Sequence, residues 1–241
     1  MAQHVGPSVD LVIPALNEEA NVTPLLAALP GSVLRHVVLA DNGSTDRTAE
    51  LAAAGGAQVV HEPRRGYGAA CLAGLKWIDS HPPLPDMVAF LDADLSDDPA
   101  QLPCLIDPIA AGRADLVLGS RPARAEAGAL TLTQRVGNLV SCTMLRFLTG
   151  VRFTDLGPLR VVRWSSLSEL RMSDQTWGWT VEMQFKAAAL GLRCLEVQVP
   201  YRRRHLGRSK ISGSIPGATA AGLRIALTIG QLWWWHRRGR L

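Results

Sequence analysis

Two aspartates separated by one residue, Asp92 and Asp94, stand in the run DADLSDDP directly after an apolar stretch at 87–91. Alternate residues of an extended chain point the same way, so their carboxylates can share one cation. A hard divalent ion such as Mg2+ or Mn2+, held by one or two carboxylates, completes its shell with water and substrate phosphate oxygens. That suits a nucleoside diphosphate leaving group. The pair also reads as capping for a helix near Pro99, although Asp97 or Asp98 could do that job alone.

Other polar residues sit at comparable places. In ADNGSTD, Asp41 and Asn42 end an apolar run and Gly43 permits a tight turn. A carboxylate there can accept from a nucleobase edge or ribose hydroxyls, while Asx-Gly-Ser clusters are also ordinary turn chemistry. An earlier run ends in PALNEE, and a later one leads to EPRRGYGAA, where Arg64 and Arg65 with two glycines can approach a phosphate or base before a helix starting near Ala69. Further on, Glu182 reads equally well as a proton acceptor or as an ion-paired helix glutamate.

These residues need a scaffold that brings strand ends together. Apolar runs at 9–13, 37–40, 58–60, 87–91 and 115–118 read as buried strands, each followed by a turn and a longer segment. The alternation predicts βαβ units, hence a mostly parallel α/β sheet with helices on both faces and ligands at the carboxyl ends of the strands. Helix starts are expected at Thr23-Pro24 and around 44–46. Longer helices are expected over 131–150 and 176–190, with a strand at 193–199.

With 241 residues the chain has room for one large domain. The net charge of +4 hides clustering: Arg202, Arg203, Arg204, Arg208 and Lys210 lie together, and Arg237, Arg238 and Arg240 close the chain. Such clusters suit an anionic ligand or surface; without interleaved aromatics or a recognition motif, nucleic acid is not the expected partner. Cys71, Cys104, Cys142 and Cys194 form no CxxC pair, which argues against a zinc site or a disulfide framework. Without a leader-like start, a cytoplasmic location is expected.

Four successive strand ends carrying ligand-type residues give the sequence a resemblance to the family 2 glycosyltransferases of the GT-A fold, a Rossmann-like arrangement. It looks most like their dolichol-phosphate mannose synthase branch, because the second half also carries GSR at 119–121, Arg135, TDLGPLR from Thr154, EMQ from Glu182 and RHLGRSK from Arg204. The resemblance implies that Pro14 and Asp41 line a nucleoside pocket supported by Glu18 and Arg64, and that Asp92 and Asp94 form the DXD metal site. It further implies that Arg121, Arg135, Arg204, Ser209 and Lys210 face the donor diphosphate and the acceptor phosphate. Two departures stand out: Ser96 where that branch often has Gln, and Leu156, Gly157, Pro158, Leu159 and Arg160 in place of Ser-Gly-Phe-Arg.

The implied activity is inverting transfer of a hexose from a nucleotide sugar to a polyprenyl phosphate. The alternatives are a soluble acceptor, a nucleotidyltransferase or a non-catalytic sugar-nucleotide binder. A phosphate acceptor is already ionised, whereas a hydroxyl acceptor needs a carboxylate such as Asp155 or Glu182 as base. Domain bounds of 1–210 for the catalytic unit and 211–241 for a terminal helix and basic tail are expected. Within that tail Trp233, Trp234 and Trp235, followed by arginines, read either as a peripheral anchor at the inner face of a membrane or as the end of a docked helix.

Overall fold

Alternation along β1 (Val9–Ala15) sets the architecture, because Val9, Leu11 and Ile13 enter one core and Val12 enters the other. The structure, a computed structural model, describes residues 6–204 and 215–239. Around β1 lie β2 (His36–Asp41), β3 (Gln58–His61), β4 (Met87–Phe90), β5 (Leu116–Ser120), β6 (Arg160–Arg163) and β7 (Cys194–Gln198). They form one seven-stranded sheet in the order β3-β2-β1-β4-β6-β5-β7.

Helices cover both faces, as the parallel strands require. One core gathers α1 (Glu19–Ala28), α2 (Thr48–Ala54) and α4 (Leu102–Ala110) through Val22, Leu25, Ala52, Leu105 and Ile109. The other gathers α3 (Tyr67–Asp79), α5 (Leu132–Thr149), α6 (Trp164–Leu170), α7 (Trp179–Ala189) and α8 (Ile215–Arg237). In that layer Ile229 and Leu232 seat α8 beside Trp179 and Phe185, all of them buried. Among the described residues no helix is long and apolar enough to cross a membrane.

The expected mostly parallel α/β sheet is present, with two local differences. Strand β6 carries no sequence signal, being four residues long with an arginine at each end, yet it inserts antiparallel between β4 and β5. The insertion buries Arg160. Fully buried, it donates to the carbonyls of Thr180 and Gly157, and burial lowers its guanidinium to about 10.

Helix α1 also begins at Glu19 rather than at Thr23, with Pro24 inside it. The Glu18 carbonyl accepts from the N–H groups of both Asn21 and Val22, so the first turn closes before the proline is reached. By contrast α5 keeps its expected ends: Thr131 and Gln134 form a reciprocal capping box, and Gly150 adopts φ 78° at the other end.

Candidate active site

Strand register aligns the polar residues. Ala15 at the end of β1 pairs with Asp41 at the end of β2, and Phe90 at the end of β4 pairs with Val12, so the segments after all three strands emerge on one edge. A cleft of about 1000 Å³ opens there. Its walls include Pro14, Glu18, Asn42, Arg65, Tyr67, Asp92 and Asp94 from the first half of the chain. Arg121, Arg135, Asp155, Trp177, Arg204 and Arg224 come from the second half.

The aspartate pair carries the clearest electrostatic signature. Asp92 has one carboxylate oxygen, Oδ1, buried without a hydrogen-bond partner, and the neighbouring Tyr67 hydroxyl favours its ionised form. Burial and the charge of Asp94 push Asp92 up to about 7. Asp94 accepts from Ser96 N at 3.0 Å and from Arg204 Nη1 at 3.2 Å, and Arg204 also pairs with Glu18. Among the described residues no group of three or more His, Cys, Asp or Glu side chains could hold a metal ion. Two carboxylates with an orphaned buried oxygen nevertheless fit a hard cation that takes its remaining ligands from water and phosphate.

Asp97 and Asp98 divide the roles considered for them. Asp98 caps the short turn at Pro99–Gln101 by accepting from Ala100 N at 3.1 Å. Asp97 is buried with neither oxygen partnered, and desolvation raises it to about 8, so it is largely protonated at neutral pH.

Around the nucleoside side, Asp41 lies behind the cleft lining. Its oxygens face Ser44 N at 3.0 Å and His61 Nδ1 at 3.1 Å. The neighbouring Asn42 reaches the cleft and organises the next loop. It donates to the carbonyls of Glu62 and Arg64 at 3.1 and 2.7 Å and accepts from Gly66 N at 2.8 Å. Arg64 points out of the lining toward Gln175 Oε1 at 2.8 Å, leaving Arg65 on the wall. Asn42 and Tyr67 were both legible as polar residues at a strand end or helix start, but spacing gave them no separate role.

The second-half carboxylates are saturated. Asp155, nearly inaccessible, accepts from Arg121 through N, Nε and Nη2 at 2.7–2.9 Å, and Arg121 lies over the Tyr201 ring. Glu182 lies outside the cleft lining. It accepts from Ser173 N and Oγ, from Asp174 N at 2.8 Å, and pairs with Lys186 at 2.8 Å. Both placements differ from that of a free proton acceptor, because every oxygen is already engaged by a donor. Arg135 stands at the rim, on α5. Ser209 and Lys210 lie outside the described residues.

Helix α5 leaves the cleft wall with an apolar stripe. Leu132, Val136, Leu139, Val140 and Phe147 recur at helical spacing, and all are at least half exposed, Phe147 at 87%. Arg135 and Arg146 border the stripe. On α8, Trp233, Trp234 and Trp235 are partly exposed, with Arg237 and Arg238 over the rings of Trp233 and Trp234.

Comparison with known proteins identifies the family and the fold. The sequence model described as Glycosyl transferase family 2 matches residues 10–169. An uncharacterised glycosyltransferase of Mycobacterium tuberculosis (strain ATCC 25618 / H37Rv) is 42% identical over 90% of this chain and 95% of its own length. The undecaprenyl-phosphate mannosyltransferase of Micrococcus luteus is 30% identical over 86% of this chain and 88% of its own. Polyprenol monophosphomannose synthase of Mycolicibacterium smegmatis is 31% identical over 85% and 81%. Glucosyl-3-phosphoglycerate synthase from M. tuberculosis, solved with Mn2+, UDP and phosphoglyceric acid, superposes with a TM-score of 0.74 at 22% identity, over 95% of this chain and 79% of that one.

Proposed function

From a chain that belongs to glycosyl transferase family 2, and is therefore a glycosyltransferase of GT-A fold, we propose the transfer of a hexose from a nucleotide sugar to a polyprenyl phosphate at a membrane surface. The observation that carries this reading is the exposed apolar stripe of α5, which begins at the cleft wall and supplies a path for an isoprenoid chain beside the catalytic pocket. The names of two relatives, a polyprenol monophosphomannose synthase and an undecaprenyl-phosphate mannosyltransferase, support it.

The cleft's charge arrangement fits a phosphate acceptor. Among the described residues, its carboxylates are Glu18, Asp92, Asp94 and Asp155. Glu18 and Asp94 are tied to Arg204, Asp155 is tied to Arg121, and Asp92 and Asp94 are the pair that would hold Mg2+ or Mn2+. A hydroxyl acceptor would find no unengaged base there, whereas an ionised phosphate needs none. The acceptor oxygen attacks the anomeric carbon from the face opposite the leaving group. The bond to the donor diphosphate breaks, its electron pair leaves with the nucleoside diphosphate, and configuration inverts. A divalent cation on Asp92 and Asp94 would neutralise the charge developing on that diphosphate. Arg204 and Arg135 add fixed positive charge along the phosphate path.

A labelled nucleotide hexose, short-chain polyprenyl phosphate and Mn2+ test the reading directly. Wild type should form a lipid-linked hexose. Val136→Glu with Phe147→Glu should cut transfer to long-chain acceptor in anionic vesicles by about tenfold, the cost of ~1.4 kcal/mol of lost apolar docking, while sparing a water-soluble short-chain acceptor. Product with phosphoglyceric acid but none with polyprenyl phosphate would replace this reading with a soluble phosphorylated acceptor.

A further inference from the structure

Helix α8 reaches the Asp92–Asp94 side of the cleft through one loop segment. Residues 173–178 carry it. The carbonyls of Gln175 and Thr176 accept from Ala69 N and Gly68 N at 3.0 and 3.1 Å, so a segment more than a hundred residues away takes two of the orphan N–H groups at the start of α3. The approach is close enough to demand glycine: a Cβ on Gly66 or on Gly68 would lie 2.0 Å from the Gln175 or the Asp174 carbonyl oxygen. Between those glycines stands Tyr67, whose ring stacks on Trp177 at 6.2 Å and which shares the cleft wall with Asp92, favouring the ionised form of its carboxylate.

The segment is clamped from two directions. From below, Glu182 accepts from Ser173 and Asp174 N–H groups. From α8, Arg224 donates to Thr176 Oγ1 at 3.1 Å and to Asp174 Oδ2 at 3.3 Å, and Thr228 donates to the same Oδ2 at 3.4 Å. Asp174 spends its other oxygen on Thr176 N and Oγ1, at 2.7 and 2.9 Å. One carboxylate therefore fixes both the turn of the segment and its attachment to α8.

We infer that Asp174 and Arg224 are positioning residues for donor binding: through residues 173–178 they hold Tyr67 on Asp92, so that helix α8 sets the affinity of the Asp92–Asp94 side for a metal–nucleoside diphosphate. This rests on the proposed function, since it takes Asp92 as a ligand of that complex. Contact of Arg224 with the diphosphate itself is the competing account, because Arg224 also lines the cleft.

Calorimetric titration with Mn2+ plus UDP or GDP, on wild type, Tyr67→Phe, Arg224→Met and the double variant, separates the two. Each single variant should bind about tenfold more weakly, the worth of one hydrogen bond to a charged group at the low end of its range. The double variant should bind no more weakly than Tyr67→Phe alone, because both changes break the same linkage. Asp174→Asn keeps the turn but loses the charge facing Arg224, and should match Arg224→Met. Losses that add fully, or variants that lower only the melting temperature and leave affinity intact, would overturn the inference. Absence of any nucleotide binding by wild type would instead overturn the functional reading on which it stands.

Discussion

Two sets of acidic residues, Asp92 with Asp94 and Asp155 with Glu182, do opposite things. On the parallel half, Asp92 keeps a buried oxygen unpartnered beside Asp94, and both sit in the cleft. On the half that contains antiparallel β6, Asp155 and Glu182 are more deeply buried, yet every oxygen has a donor, from Arg121 in one case and from Ser173, Asp174 and Lys186 in the other. Burial alone therefore does not mark a reacting group. An unsatisfied carboxylate is relieved either by a ligand, as proposed for Asp92 in the cleft, or by a proton, as at Asp97, while a saturated one holds the frame.

The largest effect should come from breaking the saturated side. Glu182→Ala strands Lys186, whose side chain is 8% exposed, and removes the acceptor of two backbone N–H groups. Loss of about 3–5 kcal/mol in denaturant unfolding is expected, as for one partner of a buried ion pair. A variant as stable as wild type but inactive would make Glu182 a reacting group and end the contrast.

On the open side, Asp92→Asn should leave unfolding unchanged or improved, because a buried charge beside Asp94 is removed. Turnover should fall by about a hundredfold or more through loss of a ligand where leaving-group charge develops. Near-normal turnover would place the metal elsewhere.

Asp97 sharpens the comparison through pH. Its folded value, about 8, lies above the usual carboxylate range, so the native state holds a proton that the unfolded chain releases from about pH 4 upward. This contribution to stability is full below pH 4, declines through the window to pH 8, and is flat beyond it. Asp97→Asn should remove that decline and gain about 1–3 kcal/mol at pH 8 in metal-free unfolding experiments. A stability profile parallel to that of wild type would mean that Asp97 is ionised in the native protein.

The smallest effect belongs to Asp41, set behind the lining and held by Ser44 N and His61. Asp41→Ala should weaken nucleoside diphosphate affinity by roughly 1 kcal/mol, acting through the turn that Asn42 shares. A loss above about tenfold would place the Asp41 carboxylate on the base or ribose itself.

Sequence alone determined the parallel core of this protein and the edge on which its cleft opens. Apolar runs of fixed period form β1, β2, β3 and β4, and strands of one direction expose their ends on one edge, so Asp41, Asn42, Arg65 and Asp92 had to converge there. Capping chemistry likewise fixed both ends of α5 locally. The tertiary structure decided the rest. β6 has too few residues to show a period, and it forms by pairing with both β4 and β5, with Arg160 donating to the carbonyls of Thr180 and Gly157 deep in the core. Whether Asp155 and Glu182 could accept a proton depended on partners 34 residues away in one case, and on a segment that turns back over α3 in the other. Residue type sets what a carboxylate can do, but the donors that surround it are assembled only when distant segments pack, and they decide which of those capacities remains.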